Sequence, residues 1–100
     1  MLEIIKSRCY ITTNIYDDEI TSLINSCIQD CVRCGIKKSA FEFDNKGNYD
    51  NLILNCVTNY VKAYRGNDRS QTDEYLKMYT NIRDEISLHD KYIEVNNDEL

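Results

Sequence analysis

The segment from Asp50 to Gly66 constrains the fold of this chain more than any other stretch. On a helix, its apolar and aromatic side chains cover an arc of roughly 200°, about twice the stripe that a surface helix needs. More than one neighbouring element must cover so wide an arc, which predicts a central helix over residues 50–65. Asp50 is suited to cap its start and Gly66 to end it. The arc consists of Leu52, Ile53, Leu54, Cys56, Val57, Tyr60, Val61, Ala63 and Tyr64.

The periodicity of the other segments predicts an all-α fold, a small bundle of about four helices over residues 2–9, 17–34, 50–65 and 70–88. A long loop at 36–49 and a C-terminal tail complete the chain. Asp17 or Asp18 is suited to cap the second helix, and Ser70 with Asp73 resembles a capping box for the last one. We expect a single helical domain over 1–90 and a tail over 91–100 that is flexible or ordered by a partner.

The net charge of −5 is concentrated in one part of the chain. Residues 1–70 carry nine acids and nine bases, whereas residues 71–100 carry eight acids and three bases. This acidic third is either a solvated surface or a functional one. A functional acidic surface would face an anionic molecule without binding it, or would meet a basic partner. Specific nucleic-acid binding is disfavoured, because the basic patch that supplies its affinity is absent from the pattern.

The 36–49 segment is long for a connection in so small a domain, and long connections are usually functional or mobile. It contains both phenylalanines of the chain, Phe41 and Phe43. They either hold the loop on the core or are presented to a neighbouring subunit.

Three cysteines form the sharpest chemical motif, Cys27-x-x-x-Cys31-x-x-Cys34. Radical S-adenosylmethionine enzymes hold a four-iron cluster with this spacing. However, the three residues share the apolar face of the second predicted helix, cluster ligands usually come from a loop, and the chain has no room for the barrel of such an enzyme. A zinc site would need a fourth ligand, and a redox pair lacks its βαβ context. We therefore predict that these cysteines pack as small hydrophobes, with no metal and no cofactor.

No catalytic constellation is apparent in the sequence. The sole histidine, His89, has no recognisable nucleophile and carboxylate partners, and neither a phosphate loop nor a G-x-S-x-G motif occurs. The sequence contains no run of 18 apolar residues, so it predicts no membrane span. The five cysteines without a recognisable secretory signal predict free thiols in a reducing cytosol. We expect no catalytic residue and no enzymatic activity.

The order, spacing and length of these elements resemble the phage head–tail connector (adaptor) proteins, small all-helical proteins that join the portal ring to the tail. The resemblance covers nearly the whole chain and includes the phrase YVKAYRG at residues 60–66. Cys27 and Cys31 depart from it, since small residues such as alanine are expected there. The matching residues are Lys6, Ile11, Asp17, Asp18, Ile20, Leu23, Ile24, Leu52, Val57, Val61, Ala63, Tyr64, Gly66, Tyr75, Tyr79, Ile82 and Leu88.

The resemblance implies a structural virion component at the head–tail junction, assembled in the bacterial host cytoplasm without a membrane. About a dozen copies would form a ring under the portal, through which phage DNA passes without specific binding. The implied partners are the portal protein and the next head-completion or tail protein. We expect Phe41, Phe43 and Tyr49 at a subunit or neck-protein interface, Tyr92, Ile93 and Val95 in a portal-docking tail, and Asp73, Glu74, Asp84 and Glu85 as acids facing the channel.

The alternative is a small helical regulatory or DNA-binding module of a phage or prophage. Such a module would carry a basic recognition helix. No segment of this sequence has that composition.

Overall fold

The computed structural model describes residues 1–66 and 68–93. Within them lie four α-helices, and the all-α bundle is confirmed. Each helix begins and ends within two residues of its predicted limits. The helices are α1 (Leu2–Arg8), α2 (Asp17–Arg33), α3 (Asn51–Arg65) and α4 (Arg69–Ile86), and two short 3-10 turns span Lys38–Phe41 and Asp90–Tyr92.

The central position of α3 is confirmed by its contacts, since it packs against α1, α2 and, most extensively, α4. Asp50 caps it as predicted, because one carboxylate oxygen accepts from the backbone N–H groups of Leu52 and Ile53 at 2.9 and 3.2 Å. Gly66 follows its last residue in an extended conformation. A Cβ atom there would lie 2.8 Å from Thr72 Oγ1 of α4, so a larger residue would force the Thr72 side chain to move.

One hydrophobic core joins all four helices, both turns and Ile36. Side chains of α3 occupy its centre, and α1, α2 and α4 contribute from around it. None of the helices within residues 1–66 and 68–93 combines the length and hydrophobicity needed to span a bilayer. The buried apolar residues are Ile5, Ile20, Ile24, Cys27, Cys31, Ile36, Phe41, Ile53, Leu54, Cys56, Val57, Val61, Tyr79, Ile86 and Tyr92.

Two predicted helix caps are wrong. Tyr16 occupies the cap position of α2 without a capping side chain, and Asp17 instead contacts Lys6 at 2.8 Å. Asp68, not Ser70, caps α4, with its carboxylate accepting from the Ser70 N–H at 2.9 Å. Asp68 has an extended backbone, which lets its side chain turn back onto the first helical N–H groups.

Candidate interaction surfaces

The 36–49 loop divides between core and surface. Phe41 ends the Lys38–Phe41 turn and is only 6% exposed, whereas Phe43 is 63% exposed. The turn breaks the extended alternation that would have placed both rings on one side. Phe41 therefore holds the loop on the core, which corrects its assignment to an interface, and Phe43 alone remains available to a partner.

An ordered turn presents Phe43 at the surface. Asp44 Oδ1 accepts from the backbone N–H groups of Lys46 and Asn48 at 2.8 and 2.9 Å, and Gly47 has φ +81° between them. The ring of Phe43 contacts that of half-buried Tyr49 edge to face, with centroids 5.9 Å apart. The loop therefore forms a defined projection, which we call the Phe43 knob (residues 42–44).

The first residues of the predicted tail pack on the chain's own fold. Tyr92 is buried, and its hydroxyl donates to Asp50 Oδ2 at 2.9 Å. Ile93 forms an isolated antiparallel bridge with Ile36. Tyr92 is therefore a core residue rather than a free docking residue, and ordered packing continues beyond the expected domain limit at residue 90. Val95 lies outside the described residues.

The four predicted acidic residues of α4, Asp73, Glu74, Asp84 and Glu85, are all exposed. Asp84 pairs with Arg83 at 3.2 Å. The other three acids form no ion pair with any residue in the described ranges. They give α4 an exposed acidic surface.

A groove that sequence reasoning missed lies between α1, α3 and α4, and we call it the Tyr10 groove. It has a volume of about 470 Å³. Two cations and no acid line it, in a chain whose net charge is −5. This composition suits an acidic, partly apolar ligand surface. The lining residues are Ser7, Arg8, Tyr10, Asn55, Thr58, Asn59, Lys62, Tyr75 and Met78.

Lys62 and two tyrosines shape the Tyr10 groove. The Lys62 ammonium nitrogen lies 5.9 Å from the ring centroid of Tyr10 and 5.5 Å from that of Tyr75. Tyr10 is 89% exposed and has φ +59°, a left-handed conformation that is uncommon for a bulky residue. Backbone strain of this kind persists where the surrounding structure imposes it, and it clusters at functional sites.

A partly buried ion pair joins α1 to the start of α2, on either side of Tyr10 in the sequence. The Lys6 side chain is buried between α1 and α2, with its Nζ atom 2.8 Å from both Asp17 Oδ1 and Asn14 Oδ1. On the groove side, Arg8 donates to Asn55 and Asn51 at 2.7 and 2.9 Å. The sequence around Tyr10 does not predict the groove, because the residues that line it come from three separate helices.

Only two of the three cysteines of the Cys27-x-x-x-Cys31-x-x-Cys34 motif lie in the core. Cys27 and Cys31 are fully buried, as predicted, but Cys34 follows the last residue of α2 and is exposed. Helical spacing put Cys34 on the core side, but no element covers it at the end of the helix. Cys56 of α3 takes its place, and the sulfur atoms of Cys27, Cys31 and Cys56 lie within 4.8 Å of one another.

Comparison with known proteins gives one result. The family model described as phage connector protein matches residues 1–93. The match includes every helix of the fold, the Phe43 knob and the Tyr10 groove. No curated protein and no solved structure matches the chain.

Proposed function

We propose that this chain, which belongs to the phage connector protein family, forms a ring under the portal at the phage head–tail junction. A phage connector role follows from the family, which is structural rather than enzymatic. The observation that carries the proposal is the match over residues 1–93, which spans all four helices. In the proposed ring, DNA passes through the centre, and the portal protein and the next head-completion or tail protein lie on either side.

A closed ring needs a heterologous contact, in which one face of a subunit meets a different face of the next. The Phe43 knob and the Tyr10 groove share no residue, so they can serve as two such faces. The knob carries an exposed aromatic ring between two exposed acids, Glu42 and Asp44. The groove offers Lys62 and Arg8 beside aromatic rings and Met78. The opposite charges and the aromatic residues on both sides therefore support a knob-to-groove contact between neighbouring copies.

The acids of α4, Tyr49 and the C-terminal segment have proposed roles of their own in the ring. Asp73, Glu74, Asp84 and Glu85 are exposed and would repel the DNA backbone if they faced the channel. Tyr49, at the end of the same loop, supports the knob through the edge-to-face contact with the Phe43 ring. The portal-docking role is now proposed for the segment from Ile93 onward, including Val95, because Tyr92 is already used within the fold.

Deletion of the gene from the phage that encodes it tests this function. If the protein connects head and tail, the mutant phage should accumulate filled or emptied heads and separate tails, visible by electron microscopy. Expression of the wild-type chain from a plasmid should restore joined particles. Normal yields of joined, infectious particles without this protein would contradict the proposal.

A further inference from the structure

We propose that the thiols of Cys27, Cys31 and Cys56, together with the Tyr79 hydroxyl, form a structural site for one Zn²⁺ ion. This inference does not depend on the connector function. It follows from a cluster that only the folded chain assembles, since Cys56 and Tyr79 are distant in sequence from the Cys27–Cys31 pair.

Two distances within this cluster match the edges of a tetrahedral zinc site. Zn–S bonds of about 2.3 Å imply S–S edges of about 3.8 Å, and a Zn–O bond of about 2.1 Å, the length found for carboxylate ligands, implies S–O edges of about 3.6 Å. The sulfur atoms of Cys31 and Cys56 are 3.9 Å apart, and Cys31 Sγ lies 3.6 Å from the Tyr79 hydroxyl oxygen. Since all three sulfur atoms lie within 4.8 Å of one another, side-chain shifts of about 1 Å bring them to the S–S spacing of a zinc site.

The ligands stand on three different helices. Cys27 and Cys31 are one helical turn apart on α2 and therefore point to the same side. Cys56 comes from α3 and Tyr79 from α4. An ion bound here would link the three helices at the centre of the bundle. Small domains commonly gain stability from such a metal, because their cores are modest.

Outer hydrogen bonds orient the oxygen ligand. The Tyr79 hydroxyl donates to Asp30 Oδ2 at 2.5 Å, and Arg83 donates to the same oxygen at 2.9 Å. Binding Zn²⁺ to three thiols releases three protons to solvent and leaves one net negative charge on the metal and its three thiolates. The Arg83 guanidinium is paired with the Asp30 carboxylate, so this negative charge stays on the site. Such outer hydrogen bonds hold ligands in place at metal sites.

Cysteine also fills cores as a small hydrophobe, and three buried thiols fill this space without an ion. A zinc site and an ion-free core differ in the amount of metal that the folded chain binds. Because the thiols are fully buried, the ion would enter during folding. The test therefore refolds the reduced full-length chain with and without Zn²⁺, removes free metal by desalting, and measures bound zinc and Tm. Refolding with Co²⁺ adds a visible absorption spectrum that reports tetrahedral thiolate coordination.

We expect about one zinc per chain, a higher Tm with zinc, and cobalt–thiolate absorption. Cys56→Val, which keeps an apolar side chain of similar size, should lose stoichiometric binding while still folding. The matched control is Cys34→Val, which removes an exposed thiol and should bind as the wild type does. Wild-type chain that refolds without bound metal or cobalt absorption would overturn the site. So would a Cys56→Val chain that binds one zinc as tightly as the wild type.

Discussion

At the scale of single residues, Asp50 joins two distant parts of the chain. One of its carboxylate oxygens caps α3, and the other accepts from the Tyr92 hydroxyl at 2.9 Å and from Lys91 at 3.1 Å. Burial opposes ionisation of this carboxyl, but the hydrogen bonds from Tyr92 and the backbone outweigh it and lower its pKa. One side chain therefore both starts the central helix and holds the C-terminal turn.

Asp50→Ala should lower the free energy of unfolding by about 2–3 kcal/mol. Loss of the cap accounts for about 1 kcal/mol, and loss of the partly buried hydrogen bond from Tyr92 to the carboxylate for about 1–2 kcal/mol. Asp68→Ala is the matched control, since Asp68 caps α4 through backbone contacts alone and should cost only about 1 kcal/mol. Urea unfolding measures both losses, and equal losses would contradict the tethering role of Asp50.

Acid should destabilise the fold through Asp30 and Asp50. For Asp30, burial opposes ionisation, but hydrogen bonds from Tyr79 and Arg83 lower the pKa below its usual value. The unfolded chain therefore binds protons at a higher pH than the fold does. The stability contributed by these carboxylates is present above about pH 4 and is lost as the pH falls toward their lowered pKa values.

The measurement is Tm between pH 7 and pH 3 for the wild type and for Asp30→Asn. The wild-type Tm should fall steeply below about pH 4, and the variant, less stable at pH 7, should show a smaller fall. A variant with the same fall in Tm as the wild type would show that Asp30 does not contribute to the acid transition.

At the scale of elements, the helices could be predicted from sequence because their determinants are local. The 3.6-residue period placed all four helices, and Asp50 gave a correct cap. The cap of α4 was missed because Asp68 and Ser70 both suit that role, and the backbone of the turn decides between them. Cys34 was misplaced because periodicity does not show where the covering elements end.

The two phenylalanines of the 36–49 loop should respond in opposite ways. Phe41→Ala should destabilise the fold by about 3–5 kcal/mol, because it empties a core position. Phe43→Ala should change the free energy of unfolding by less than about 0.5 kcal/mol, because the ring is largely in solvent. Thermal or urea unfolding of the two variants measures this difference. A similar loss for both would show that the Phe43 knob is part of the folded core.

At the scale of the whole molecule, sequence reasoning found the family but not the surfaces. Tyr10 and Lys62 are 52 positions apart and meet only after α1 packs on α3, so no pattern within one segment reveals the groove. The knob was found only in part, because the sequence did not show which phenylalanine the Lys38–Phe41 turn would bury. Surfaces built from several helices depend on packing, whereas the helices do not.

The proposed knob-to-groove contact predicts a charge-reversal pattern. Lys62→Glu should leave the subunit folded but weaken assembly at least tenfold, because an acid would then face Glu42 and Asp44 of the neighbouring copy. Adding Glu42→Lys to the same chain should restore assembly in part. Lys77→Glu, on an exposed part of α4, is the control for the change in net charge. Native mass measurement in the presence of portal reports assembly.

Assembly that is unchanged by Lys62→Glu would rule out the groove as the contact between copies. It would leave the connector function itself untouched. Failure of the double variant to recover would show that Lys62 faces a group other than the knob.

The central claim is that this chain forms a ring on the portal, and electron microscopy of portal rings with and without the protein tests it most directly. We expect an added disc with a central opening on one face of the portal, formed by several copies of the 100-residue chain. Portal rings that stay unchanged at saturating concentrations of folded protein would contradict it.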